Sequence, residues 1–87
     1  MKLDSFIPKI WTVYILLCSD QSYYTGCTNN FEDRFTRHQK GYIAYTKTRR
    51  PLLLVIKIDF PNKYKAYEFE KYLKSGSGKA FMRRHFV

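Results

Sequence analysis

Trp11–Cys18 (WTVYILLC) and Tyr23–Thr28 (YYTGCT), separated by the polar Ser19-Asp20-Gln21-Ser22, decide how this chain folds. Both segments are rich in β-branched and aromatic residues, and each is too short for a free-standing helix. They are expected as two strands joined in a hairpin. Gly26 sits inside the second strand. A glycine weakens β-structure there, so it predicts a bulge or the close approach of another group.

Downstream of the hairpin, Asn29 and Asn30 are good N-caps, and Glu32 and Asp33 fall where a helix dipole favours acids. A helix is expected to about Lys40, with Gly41 past its end. Tyr42–Pro51 reads as a polar, basic connection, and Pro51 marks the edge of a third strand. Leu52–Phe60 (LLLVIKIDF) is the most apolar run, expected to be the most buried strand. Asn62 can cap a second helix through about Lys74. Ser75–Gly78 is expected to break it before a short final helix, Lys79 to about His85. The order ββαβα(α) has too few strands for a barrel or sandwich. It predicts an α/β fold of the α+β type, a three-stranded, mostly antiparallel sheet flanked by helices.

The chain has 87 residues, room for one domain and no second core. The expected layout is a single domain over residues 1–87, with a short arm at 1–10 and a core over about 11–84. With 45% hydrophobic and 18% aromatic residues it is too apolar for a disordered tail. Sixteen Lys/Arg against seven Asp/Glu give a net charge of +9, a field that gathers polyanions. Nucleic acid is the leading partner, an anionic membrane surface the weaker alternative, and mere solubility the plainest account of the charge. Cys18 and Cys27 read as reduced, core-facing thiols. No window approaches the ~18 apolar residues of a membrane span, and the first residues do not read as a secretory signal. The expected location is the cytoplasm.

Polar residues interrupt two apolar stripes. Phe31, Arg34, Phe35 and His38 fall at i, i+3, i+4 and i+7, so Arg34 and His38 share or border the face that two phenylalanines turn to the sheet. They can act on one ligand, or lean outward and only add charge. In the second helix Ala66, Phe69, Glu70 and Leu73 form the inward stripe, and Glu70 is its one acid. A carboxylate there needs a partner: an ion pair, with Arg34 as one candidate, or a hard divalent cation. Tyr14 and Tyr24 lie on paired strands, where a phenol near a cation can move a proton or simply pack. Gly76-Ser77-Gly78-Lys79-Ala80 lacks the spacing of a phosphate loop, and the cysteines and histidines do not match a structural zinc site.

In order, these positions resemble the GIY-YIG nuclease family, in particular its small stand-alone members akin to the N-terminal domain of the bacterial excinuclease C subunit. Thr12-Val13-Tyr14 resembles the first triplet and Tyr24-Thr25-Gly26 the second. Arg34, His38, the basic segment Thr46–Pro51 and the segment Glu70–Lys74 follow in the family's order. Thr12 replaces the first glycine and Thr25 an isoleucine, which touches backbone geometry more than the polar set.

The resemblance implies a metal-dependent endonuclease that hydrolyses phosphodiester bonds, structured or damaged DNA among its substrates, with a role in DNA repair by analogy alone. On that reading Glu70 holds one Mg²⁺ (or Mn²⁺) and Arg34 neutralises phosphoryl oxygens. Tyr14 or Tyr24 takes a proton from water, and His38 assists. Lys47, Arg49 and Arg50 track the nucleic-acid backbone, with DNA ahead of RNA as the partner. The alternative is a catalytically silent nucleic-acid-binding module of the same fold.

Overall fold

The computed structural model describes residues 9–87, so residues 1–8 of the expected N-terminal arm lie outside the described residues. Its sheet has the order β2-β1-β3, with β1 (Trp11–Leu17) in the centre and β2 (Tyr23–Thr28) and β3 (Leu53–Phe60) antiparallel at its edges. The hairpin between β1 and β2 forms as expected. Its turn is held by Asp20, whose Oδ1 accepts from the Ser22 amide and hydroxyl, with Gln21 at φ 70°. Helices α1 (Phe31–Gln39), α2 (Ala44–Lys47), α3 (Lys63–Leu73) and α4 (Gly76–His85) complete the order.

Directly opposed residues of an antiparallel ladder share a face. Val13 and Ile15 of β1 therefore lie beside Cys27 and Thr25 of β2 and Ile58 and Ile56 of β3. This face packs with Ala66 and Leu73 of α3 and Met82 of α4, bordered by Phe60, Phe69 and Phe81. Tyr14 and Leu16 point the other way, with Gly26 and Tyr24 beside them, toward Phe31 and His38 of α1. Thr12 through Leu16 are all buried, because β1 has a ladder on each edge and helices on each face.

This placement corrects the expectation for the third strand. β3 is the most apolar run but an edge strand, and Leu53 is 63% exposed. Its Lys57 and Asp59 turn outward, and Val55 is the extra residue of a bulge where the register slips between Ile15 and Leu16. Apolar content does not decide depth when a strand has only one neighbour.

The caps of α1 and α3 are as expected. Asn30 Oδ1 accepts from Asp33 N, and Asn62 Oδ1 from Tyr64 N and Lys65 N. Two connections differ. Tyr42–Pro51 contains the single turn of α2, and Ser75–Gly78 starts α4 rather than merely ending α3. Ser75 caps α4 by accepting from Gly78 N at 3.1 Å. A Cβ at Gly78 would collide with the Tyr72 backbone. Glycine costs about 1 kcal/mol in a helix, but here its missing side chain lets α4 lie directly on the end of α3.

Candidate active site

Tyr14 stands opposite Gly26 on the edge strand β2, and no bulge occurs there. A Cβ on Gly26 would overlap the phenol end of Tyr14, so the glycine provides the close approach that its position in a strand predicts. The Tyr14 ring thus lies across β2 with its hydroxyl at the sheet edge. Burial first, and then the neighbouring Tyr24 phenol, push the Tyr14 hydroxyl well above the ordinary phenol range; the Arg34 charge opposes them.

His38 is the most buried residue of α1, fully removed from solvent, which excludes the reading in which it leans outward. Its Nε2 lies 2.8 Å from the Tyr14 hydroxyl and its Nδ1 2.7 Å from Thr46 Oγ1. Burial, aided by the Arg34 charge, lowers its pKa to about 4, so at neutral pH the ring carries one N–H. The Thr46 hydroxyl is directed at the Ile43 carbonyl at 3.4 Å. We assign the ring proton to Nδ1, donating to Thr46, which leaves Nε2 to accept from Tyr14. Thr46 is itself fully buried, and it explains why the connection after α1 makes a helical turn.

Tyr24 is half-buried beside this chain, its ring centroid 4.9 Å from that of His38, 6.2 Å from Tyr14 and 5.5 Å from Tyr45. Arg34 is half-buried on α1, and its charge acts on both His38 and Tyr14. Glu70 comes from the opposite face of the sheet, on α3. Its carboxylate charge nevertheless reaches Tyr14, and it adds to the burial that raises the Cys27 thiol. Gly26, on the edge strand β2, leaves the space that the Tyr14 phenol fills between the two faces. Glu70 is paired with Lys74 at 3.2 Å rather than with Arg34.

Tyr14, Tyr24 and His38 are therefore in ring or hydrogen-bond contact, Arg34 acts on Tyr14 and His38 through its charge, and Glu70 on Tyr14 through its own. The basic segment is different. Arg49 pairs with Asp20 at 3.1 Å, lies 4.0 Å over the Tyr45 ring and donates to the Tyr45 carbonyl. Arg50 donates to Lys47 O at 3.0 Å and Gln39 O at 3.2 Å, crossing the ends of α1 and α2. Both guanidinium groups fasten the loop to its neighbours, whereas Lys47 is exposed. Thr12, which stands for the family's first glycine, is accommodated in the ladder and donates its hydroxyl to Asp59 at 2.7 Å.

Among the described residues no three His, Cys, Asp or Glu side chains cluster as a metal cage. Glu70, with 21% of its side chain exposed, is a single carboxylate. That suits Mg²⁺, which takes one or two carboxylates and fills its shell with water and substrate phosphate oxygens. Thr46, Tyr45 and Lys74 carry structural or electrostatic parts of the site that the sequence did not single out. Thr46 left no periodic signal, because it acts from a single helical turn. Lys74 was visible only as the i+4 neighbour of Glu70.

Two tyrosines, a histidine and an arginine beside one edge of a three-stranded antiparallel sheet, with the charge of a glutamate reaching them from the helix on its other face, define an α+β fold with a polar site at a strand edge. The family model for the GIY-YIG catalytic domain matches residues 10–84. The chain belongs to the GIY-YIG family.

A UPF0213 protein of Nitratidesulfovibrio vulgaris is 40% identical over 67 residues, covering 76% of this chain and 61% of that relative. The match thus spans less than two-thirds of that relative's length. A UPF0213 protein of Clostridium perfringens is 49% identical over 71% of this chain and 68% of its own length. One of Staphylococcus haemolyticus is 47% identical over 75% of this chain and 80% of its own length. Among solved structures, the solution NMR structure of a UPF0213 protein of Bacillus halodurans superimposes with a TM-score of 0.56 at 36% identity. It covers 86% of this chain and 83% of the other.

Proposed function

We propose that this chain is a cytoplasmic, divalent-metal-dependent endonuclease that hydrolyses phosphodiester bonds in nucleic acid, DNA ahead of RNA. The observation that carries the reading is the buried chain Tyr14–His38–Thr46 beside a half-exposed tyrosine and an arginine. Such a chain fixes the orientation of each group, and apolar residues of similar shape would fill the space without three groups to satisfy.

In this reading Arg34 binds the phosphoryl oxygens through its planar donor fork. Tyr24, the phenol with access to solvent, meets the attacking water. As Tyr24 takes a proton from the water it passes its own to Tyr14 behind it, whose proton moves to the unprotonated Nε2 of His38, so no free tyrosinate forms at neutral pH. Burial depresses His38 most and the Arg34 charge adds to it, so a phosphate on Arg34 offsets that second effect and makes the imidazole a better acceptor. The oxygen of water bonds to phosphorus as the bond to the leaving oxygen breaks. Glu70 is the residue that would hold one Mg²⁺ or Mn²⁺; when bound, such an ion supplies Lewis-acid stabilisation of charge on the leaving oxygen. Lys47 and the net charge of +9 contribute affinity through the backbone rather than sequence choice.

The test is cleavage of end-labelled single-stranded, duplex, flap and branched DNA, with matching RNA, in Mg²⁺, Mn²⁺ or EDTA. Wild type is expected to cut in metal alone, and a folded Glu70→Ala variant to lose cutting by ~100-fold or more. Salt-sensitive binding without cutting on any substrate would establish the binding module instead.

A further inference from the structure

A cavity of about 320 Å³ opens at the β2 edge, next to the candidate active site, and the proposed chemistry leaves it unused. Tyr23, Tyr24 and Tyr45 stand in its wall with Lys74 and Lys79, and Leu73 and Met82 give it an apolar side. Tyr24 belongs to both places: its ring touches His38 on one side and lines the cavity on the other. Tyr23 and Tyr45 are 38% and 41% exposed, so their rings are open to a ligand. Arg49 backs the Tyr45 ring at 4.0 Å and is itself anchored to Asp20, so that ring is held in place before any ligand arrives. Lys74 bridges the cavity and Glu70.

We propose that this cavity is a subsite for one unpaired nucleotide of the strand to be cut, with its base against the tyrosines and its phosphate at Lys74 and Lys79. The inference rests on the nuclease reading and gives it a substrate class: single-stranded segments, flaps and frayed ends rather than continuous duplex. Size supports it, since the volume is at the lower end of the ~300–1,000 Å³ of small-ligand sites and suits one nucleotide rather than a double helix. Chemistry supports it as well. Exposed rings take the face of a base, which in a duplex is already covered by its neighbours, and lysines in the same wall take the phosphate. Position makes it consequential: a nucleotide seated here puts the adjoining phosphodiester beside Tyr24, Arg34 and Glu70.

Binding of short labelled oligonucleotides, measured by fluorescence anisotropy in EDTA, tests the subsite independently of cleavage. The probes are one single-stranded DNA, the same strand with abasic sites, its blunt duplex, and single-stranded RNA of the same sequence. Wild type is expected to bind the base-bearing strand ~5-fold or more tighter than the abasic strand, and tighter than the duplex. The RNA arm shows whether the sugar matters. Tyr23→Ala is expected to erase the preference for bases while leaving abasic binding unchanged, and Lys79→Ala to weaken both strands alike. Equal affinity of wild type for base-bearing and abasic strands would overturn the subsite, whatever the variants do. Cutting that persists alongside that result would leave the nuclease standing without the subsite; a base preference without cutting would do the reverse.

Discussion

His38 is an imidazole kept neutral by burial and by the nearby Arg34 charge, with both nitrogens occupied. Its pKa of about 4 in the folded chain lies below the ordinary value of 6.5, so the unfolded chain binds the extra proton first as pH falls. Stability from this residue is therefore complete above about pH 6.5 and lost progressively down to about pH 4, by at most roughly 3 kcal/mol. Urea unfolding at pH 7 and pH 4.5 should show that loss in wild type and a smaller one in His38→Gln. Thr46 holds the other end of the ring. Thr46→Val leaves the Nδ1–H without an acceptor, and a destabilisation of about 1–3 kcal/mol is expected. The imidazole nitrogen shifts should show the proton moving from Nδ1 toward Nε2. Unchanged nitrogen shifts would mean that Thr46 does not set the tautomer. Arg34, His38 and Glu70 were legible in the sequence because each puts a polar group on an apolar stripe. Thr46 was not, because a hydroxyl between Tyr45 and Lys47 in a basic loop looks like any other surface residue.

At the scale of elements, the strands and helices that local chemistry marks on both sides were readable: the β1–β2 hairpin by its turn, and α1 and α3 by their asparagine caps. What local chemistry could not supply was neighbourhood. The run Leu52–Phe60 looks deepest but lies at an edge, and the modest WTVYILL is deepest because it is paired twice. The glycines after α3 looked like a break because their composition gives no sign that α4 must touch the α3 backbone. Gly78 makes that contact testable. Gly78→Ala improves intrinsic helix propensity, yet the added Cβ meets the Tyr72 backbone and should destabilise the protein by about 1–3 kcal/mol. Gly76→Ala, with open space around its Cβ, should be neutral or stabilising in the same thermal melts. Equal behaviour of the two variants would contradict the α3–α4 packing. Arg49 and Arg50 teach the same lesson for charge: each also anchors the loop to its neighbours, a role the sequence did not announce.

For the whole molecule, the edge strand is the organising feature. Where Tyr14 lies across Gly26, α1 brings His38 and the charge of Arg34 from one side, and the charge of Glu70 on α3 reaches Tyr14 from the other. The net charge of +9 gives the chain a field that attracts phosphates over a Debye length, about 8 Å at physiological salt. The polar residues were visible one by one along the chain, but their convergence at one edge depended on strand order, which the sequence stated only through its resemblance to a family. The central claim is that this convergence is a catalytic centre and not satisfied packing. Single-turnover cleavage and binding by wild type and Tyr24→Phe, measured side by side on the best-cut substrate, test it most directly. The account predicts a cleavage rate reduced by ~100-fold or more, with the dissociation constant within about twofold and an unchanged melting temperature, because losing one half-exposed hydroxyl removes proton transfer and little else. Wild-type cleavage by Tyr24→Phe, or a loss explained wholly by weaker binding, would contradict it.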